Sequence, residues 1–185
     1  FFLMVEGGRI DHALHETTAR KALQDTVAFD DAIKTAIDKM KLKDADLKNT
    51  LIVVTSDNGM PFPRVKGQMY EQDFHLPMAA CWPAAAPGGR RVDDIIMFAD
   101  LAPTFLDAAG LATHPQMAGR SFMDVLRSGK TGIVDPTRNR AYFGRERQDL
   151  GRENDLGYPV RCIRTARHLY VRNFAPDRWP AGNPE

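Results

Sequence analysis

The residues that could do chemistry include an Asp-Asn pair that closely follows an apolar run. Residues 51–54 read Leu-Ile-Val-Val, and Asp57 and Asn58 come three and four residues later. A short run rich in β-branched residues is typical of a buried strand, and ligands of α/β sheets lie beyond the carboxyl ends of the strands. Carboxylate and amide oxygens suit hard cations. The pattern predicts half of a metal site, with an ordinary Asp-Asn-Gly turn as the alternative.

A second group of possible ligands lies near the N-terminus. Asp11 and His15 are four residues apart, so on a helix they share one face. A carboxylate and an imidazole placed in this way make half of a zinc site, and Glu6 adds a carboxylate suited to Mg²⁺. The alternative is a helix N-terminus enriched in acids, with a solvated His15.

Two further candidates could bind an anionic substrate. Lys66 follows Asp57 by nine residues, close enough to reach back and meet an anionic oxygen as a point charge. Arg147, Gln148 and Asp149 belong to a dense polar loop, and loops carried on rigid elements often recognise ligands. The alternatives are a solvated lysine and a solvated run of charges.

The elements that must position these residues begin with a βαβ pattern. Residues 1–5 are an apolar run of strand length, apolar side chains recur at helical spacing over residues 19–40, and the strand at residues 51–54 follows. This order predicts a parallel strand pair with a right-handed crossover.

The later chain predicts short elements. They are a buried strand at residues 78–83, a helix at 101–111 with Asp100 as its N-cap, a helix at 121–127, and antiparallel strands at 140–144 and within 160–173. The predicted fold class is α/β. Residues 1–135 are expected to form the main part, and residues 136–185 a small antiparallel subdomain.

Composition narrows the class of protein. The chain has 185 residues, 43% of them hydrophobic and 26% charged, which is ordinary for a globular domain. The formal net charge of +1 gives no electrostatic case for nucleic acid or membrane binding, and no apolar run is long enough to span a bilayer. The two cysteines, Cys81 and Cys162, are too few for a disulfide framework and are expected to be free and mostly buried.

The first segment resembles alkaline phosphatases. The sequence VEGGRIDHALHE at residues 5–16 is similar to the metal-binding segment of that family, and the resemblance runs over residues 1–55. It implies that Glu6 binds magnesium and that Asp11 and His15 bind zinc. That family continues its next strand with Thr-Ala-Asp-His, whereas this chain has Thr-Ser-Asp-Asn-Gly.

From residue 51 to residue 185 the chain resembles sulfatases, especially the subgroup close to heparan N-sulfatases. The similar stretches are VTSDNGMPFPRVKGQMYE, DLAPTFLDAAG and RERQDLGRENDLGYPVR. The resemblance implies that Asp57 and Asn58 bind calcium and that Lys66 contacts the sulfate group. It also implies that the polar loop approaches the substrate. The two families are distant relatives in one superfamily, so the change between them suggests a chimera or a fragment.

The resemblances imply a fold and a reaction. The fold would be part of the parallel-sheet sandwich of alkaline phosphatases, with a small C-terminal antiparallel appendage. The reaction would be metal-dependent hydrolysis of a small sulfuric ester or sulfamate by an oxygen nucleophile. The alternatives are a phosphomonoester hydrolase and a catalytically silent metal-binding or folding module. The cofactor would be Ca²⁺ in a sulfatase-type site, or Zn²⁺ with Mg²⁺ in a phosphatase-type site.

The nucleophile motifs of both families are missing from this sequence. Sulfatases mature the Cys of a Cys-x-Pro-x-Arg motif, but Cys81 is followed by Trp-Pro-Ala-Ala, and no Asp-Ser-Ala occurs. The sequence opens as if in mid-strand, without a signal peptide. We therefore expect a missing N-terminal half or a second copy as partner, and a periplasmic, secreted or lysosome-like location by resemblance.

Overall fold

A computed structural model describes residues 2–60, 62, 65–147 and 153–178 of the chain. Its helices are α1 (Gly8–His15), α2 (Ala19–Lys41), α3 (Glu71–Phe74), α4 (Leu101–Ala108) and α5 (Met123–Arg127). Its strands are β1 (Ile52–Thr55), β2 (Met78–Cys81), β3 (Arg140–Arg145), β4 (Val160–Thr165) and β5 (Leu169–Asn173).

The N-terminal segment is a pair of helices. α1 and α2 pack against each other, and the small side chains of Ala13 and Ala22 are buried. The helix predicted at residues 19–40 is confirmed as α2. The strand predicted at residues 1–5 is wrong, because residues 2–7 have no regular structure and Phe2, Leu3 and Met4 are exposed.

The strand that precedes Asp57 forms as predicted but pairs differently. β1 runs antiparallel to β2, with Ile52 opposite Cys81 and Thr55 opposite Met78. The predicted βαβ unit is wrong, because residues 2–7 form no strand that could lie parallel to β1, and β1 pairs with β2 instead. Every residue of β2 is exposed, so the prediction that Cys81 is buried is also wrong.

A three-stranded antiparallel sheet, β3-β4-β5, forms the C-terminal appendage. Its inner face carries the buried Val160 and Cys162, which pack with Met69 and Tyr158. The predicted antiparallel appendage is thus confirmed, and so is the buried thiol of Cys162.

A second hydrophobic core is formed mainly by residues that lie, along the chain, between β2 and β3. Phe122 and Met123 at the start of α5 are 1% exposed, and Leu101 of α4 packs against their cluster. Asp100 does not cap α4 as predicted: its carboxylate instead accepts the backbone N–H of Met97 at 3.1 Å, at the turn before that helix.

The mixture of helices with two antiparallel sheets confirms the α/β class and the antiparallel appendage. Within the residues that the structure describes, no helix is both long and apolar enough to cross a membrane.

Candidate functional site

The helix α1 holds Asp11 and His15 one turn apart on one face. Asp11 Oδ1 lies 3.6 Å from His15 Nε2, and the two side chains are 43% and 53% exposed. Two ligand atoms of a tetrahedral zinc ion, each at about 2.1 Å, are about 3.4 Å apart. The pair therefore has the separation of two ligands of a single ion.

Lys66 reaches this pair from a distant part of the chain. Its Nζ donates to Asp11 Oδ1 at 2.7 Å and lies 3.0 Å from His15 Nε2. An ammonium carries only donors, so Nε2 must accept, and the ring proton of His15 is then on Nδ1. The hydrogen bond from Lys66, aided by its charge, lowers the pKa of Asp11 against the opposing effect of burial.

The loop that carries Lys66 is held by a buried carboxylate. Asp73, on α3, is 2% exposed; its Oδ1 accepts the N–H of Gly59 at 3.0 Å, and its Oδ2 accepts the N–H of Gly67 at 3.1 Å. A Cβ at Gly59 would lie 2.4 Å from the carbonyl oxygen of Gln72, so only glycine fits there. Asp73 thereby fixes both ends of the loop around Lys66.

Asp57 and Asn58 use their side chains locally. Asp57 Oδ1 accepts the N–H of Asn58 at 2.9 Å, and Asn58 Nδ2 donates to the carbonyl oxygen of Gly59 at 2.9 Å. Ser56 Oγ donates to the carbonyl oxygen of Asn58 at 2.8 Å. This is the turn geometry that the sequence left open as the alternative to a metal site.

The predicted ligands do not come together as one complete metal centre. Glu6 is exposed at the segment before α1. Among the described residues, no group of three or more His, Cys, Asp or Glu side chains could hold a metal ion. Asp11 and His15 fit two corners of a site, but the ammonium of Lys66 binds the same two atoms. The described residues therefore do not fit the metal centre that the resemblance implies, and the metal roles remain predictions.

The polar loop after β3 is connected to the loop of Lys66. Arg145 Nη1 donates to the carbonyl oxygen of Gly67 at 2.9 Å, and Arg147 forms an ion pair with Asp155. Gln148 and Asp149 lie outside the described residues.

Sequence reasoning missed the supporting roles of Asp73 and Arg145. The sequence signal for Asp73 would have been Gly59 and Gly67 on either side of Lys66, because a loop between two glycines needs another group to hold it. For Arg145 the chain offers no local signal, because its partner lies 78 residues away.

Two family models match the chain. Residues 1–70 match the model described as alkaline phosphatase, and residues 65–154 match the model described as the C-terminal part of N-sulphoglucosamine sulphohydrolase. The two matches overlap at residues 65–70, which include Lys66. Both resemblances read from the sequence are thereby confirmed.

Individual relatives follow the same division. The chain is 34% identical over 138 residues to an ulvan-active sulfatase of Formosa agariphila. The aligned region covers 73% of the chain and 26% of the relative. The chain is also 48% identical over 58 residues to a membrane-bound alkaline phosphatase of Bombyx mori. This aligned region covers 31% of the chain and 10% of the relative. The chain thus spans about a quarter or less of the length of these relatives.

A solved structure shares the fold. It is a protein in complex with its substrate, D-glucosamine-2-N,6-O-disulfate, and it matches 86% of the chain with a TM-score of 0.63 and 26% identity. The match covers 34% of that protein.

Proposed function

We propose that this chain supplies the C-terminal part of a sulfatase-like hydrolase in the superfamily of alkaline phosphatases and sulfatases, whose family models match residues 1–70 and 65–154. The proposed substrate is a sulfate ester or sulfamate of a sugar. The similarity of 73% of the chain to an ulvan-active sulfatase supports the reaction class. The substrate bound to the structural neighbour, a sulfated glucosamine, supports the substrate class.

The observation that carries the proposal is the position of Lys66. Its ammonium has three N–H donors, and Asp11 and His15 take two of them. Within the part of the chain that the structure describes, the third has no acceptor and remains for an anionic oxygen, and the side chain is 27% exposed, so a ligand can reach it. We assign Lys66 the catalytic role of donating to a non-bridging oxygen of the sulfate group, where charge develops during its transfer.

The polar loop is proposed to recognise the rest of the substrate. The hydrogen bond from Arg145 to Gly67 fastens the end of β3 beside the loop of Lys66. Arg147 lies two residues after Arg145, and on the strength of the resemblance we propose that Arg147, Gln148 and Asp149 contact the sugar whose sulfate binds Lys66. Arginine suits this role because its planar group binds anionic oxygens in pairs.

The identity of the metal is part of the proposal. Members of the superfamily depend on metal ions. Asp57 and Asn58 offer the hard oxygens that Ca²⁺ prefers, whereas Glu6, Asp11 and His15 offer the mixed ligands of a phosphatase-type Mg²⁺ and Zn²⁺ site.

The sequence carries neither nucleophile motif, so the experiment must supply one. We would join the chain to the upstream, nucleophile-bearing segment of the ulvan-active sulfatase and assay 4-nitrophenyl sulfate. Lys66→Met should lower kcat by about 100-fold or more, as does loss of one donor to a developing oxyanion. Lys21→Met is the matched control, because Lys21 forms an exposed ion pair of the same 2.7 Å length with Glu16. Absence of sulfate turnover, or turnover that Lys66→Met leaves unchanged, would contradict the proposal.

A second candidate function is hydrolysis of phosphomonoesters. The zinc-like separation of Asp11 and His15 favours it, together with the 48% identity of 58 residues to an alkaline phosphatase. In the same joined protein this function predicts turnover of 4-nitrophenyl phosphate that is lost on Asp11→Asn. If neither ester is hydrolysed, a silent binding or folding module remains as the third candidate.

Three further predictions belong to the proposal. The boundary between the main part and the C-terminal subdomain is placed at residue 135. The partner is a missing N-terminal half or a second copy, and the location is periplasmic, secreted or lysosome-like. Limited proteolysis of the joined protein, with cleavage expected near residue 135 rather than inside β3–β5, tests the first of them.

A further inference from the structure

We propose that the ammonium of Lys66 takes the place of a metal ion between Asp11 and His15, so that this pair binds zinc more tightly when Lys66 is removed. The inference concerns binding alone, and it does not rest on the proposed hydrolysis.

The first argument is that a metal ion and Lys66 need the same lone pairs. Lys66 Nζ lies 2.7 Å from Asp11 Oδ1 and 3.0 Å from His15 Nε2, and those two atoms are 3.6 Å apart. His15 Nε2 has a single lone pair, so a zinc ion at about 2.1 Å from both atoms would need the lone pair that now accepts the ammonium, and the two cations would repel each other. Binding of the metal and binding of Lys66 therefore exclude each other.

The second argument is that the backbone of Lys66 and of the glycines on both sides of it is anchored. Asp73 clamps the N–H groups of Gly59 and Gly67, and the backbone N–H of Lys66 itself donates to the carbonyl oxygen of Met60 at 3.2 Å. A tethered cation acts at a high effective concentration, whereas a dissolved ion must compete from bulk solution. The tether therefore weakens zinc binding without any change in the ligands.

The third argument comes from the family matches of the segments that carry Asp11, His15 and Lys66. Asp11 and His15 lie in the segment that matches alkaline phosphatases, and Lys66 lies where that match overlaps the sulfatase match. The half-site for zinc and the lysine that fills it thus come together in this chain across 51 residues.

Zinc titration of the whole chain tests the inference without any activity assay. Isothermal titration calorimetry with zinc chloride alone would compare the parent with Lys66→Met, which keeps the length of the side chain and removes its charge. We expect zinc to bind the variant at least about tenfold more tightly than the parent. Adding His15→Gln to that variant should abolish the gain, and Lys21→Met should bind zinc like the parent.

A spectroscopic measurement gives a second readout of the same site. Cobalt titrated into Lys66→Met should give the visible absorption of a tetrahedral ion with a nitrogen ligand, and the parent should not. Equal zinc affinity in the parent and in Lys66→Met would overturn the proposal. If Lys66→Met fails to fold by circular dichroism, Lys66→Gln replaces it, with the same expected and contrary results.

The parent itself provides a test that needs no variant. Long-range proton–nitrogen NMR reports which ring nitrogen of His15 carries the proton. The proposal requires a proton on Nδ1 and none on Nε2, because Nε2 accepts from Lys66. A neutral ring with its proton on Nε2 would overturn it, since that atom could not then accept the ammonium.

Discussion

Of the pairs of opposite charges that join distant segments of this chain, Asp100–Arg138 and Asp11–Lys66 have similar lengths but differ in almost everything else. Asp100 and Arg138 lie 3.0 Å apart, with side chains 3% and 4% exposed. Asp11 and Lys66 lie 2.7 Å apart, with side chains 43% and 27% exposed. Distance alone would rank the second pair as the stronger one.

The surroundings reverse that ranking. Asp100 also accepts the backbone N–H groups of Met97 and Arg120, and Arg138 also donates to the carbonyl oxygens of Arg120 and Ser121. Backbone groups occupy the remaining hydrogen-bonding positions of this buried pair. The pair joins the segment around Asp100 to the segment around Arg138. Among the described residues, the Asp11–Lys66 pair keeps one N–H donor of Lys66 available. A buried ion pair whose hydrogen-bonding groups are all satisfied stabilises the fold, whereas an exposed pair with an unused donor can bind a ligand.

The largest effect should come from breaking the buried pair. Arg138→Met leaves the carboxylate of Asp100 buried without its counter-charge, which costs about 3–5 kcal/mol of the free energy of unfolding. Urea denaturation followed by circular dichroism measures the loss. The control is Arg91→Met, because Arg91 is 90% exposed in its pair with Asp93 and should change stability by less than about 1 kcal/mol. Similar losses in both variants would remove the distinction between buried and exposed pairs.

The next effect concerns the clamp under Lys66. Asp73→Ala leaves the N–H groups of Gly59 and Gly67 without their acceptor, at a cost of about 1–3 kcal/mol. The same urea experiment measures it, with Asp57→Ala as a control, because Asp57 is an exposed carboxylate whose hydrogen bond, among the described residues, lies within its own turn. A clamp that holds the loop predicts a clear loss for Asp73→Ala and almost none for the control.

A smaller effect should appear only in part of the pH range. The Arg164 hydrogen bonds, at 2.6 and 2.7 Å, lower the pKa of Glu71 from 4.5 to about 2 despite its partial burial. Since the folded pKa lies below the unfolded one, the stabilisation is complete above about pH 4.5 and disappears as the pH falls towards 2.

Glu71→Gln tests that pH dependence. After allowance for solvent screening of this partly exposed pair, the variant should lose about 1 kcal/mol at pH 7 relative to the parent. At pH 2.5 the difference should be much smaller. Thermal unfolding at both pH values measures it, and a difference independent of pH would show that charge is not the cause.

The smallest effect on stability should come from Lys66 itself. Because its pair with Asp11 is partly exposed, Lys66→Met should change the free energy of unfolding by less than about 1 kcal/mol. A loss as large as that of Arg138→Met would place Lys66 with the structural pairs. Its proposed role towards an anionic ligand would then lose its physical basis.

Local patterns in the sequence predicted the fold well where the interactions are local. The helical spacing from Ala19 onwards gave α2, and the run before Asp57 gave β1. The run at residues 1–5 has the composition of a strand, but a strand needs a neighbouring edge. Which edge is available depends on the rest of the fold, and β1 pairs with β2 instead.

The candidate site shows the same contrast between local contacts, which the sequence predicts, and distant contacts, which it does not. Asp11 and His15 could be placed together from their spacing, because four residues make one helical turn. Their meeting with Lys66 could not, since it spans more than 50 residues and depends on the clamp by Asp73. By distance along the chain Lys66 was expected near Asp57, whereas in the structure its ammonium bonds to Asp11 and His15.

The two-stranded sheet also affects how the protein should be handled. Within the described residues, β1 pairs only with β2, so each strand has an outer edge whose backbone groups lack a sheet partner. Such edges recruit strands from neighbouring molecules, and an isolated hairpin is stable only marginally. Expression of the chain by itself should therefore favour inclusion bodies at high concentration. Co-expression with a segment that supplies the neighbouring strands should shift the yield to the soluble fraction.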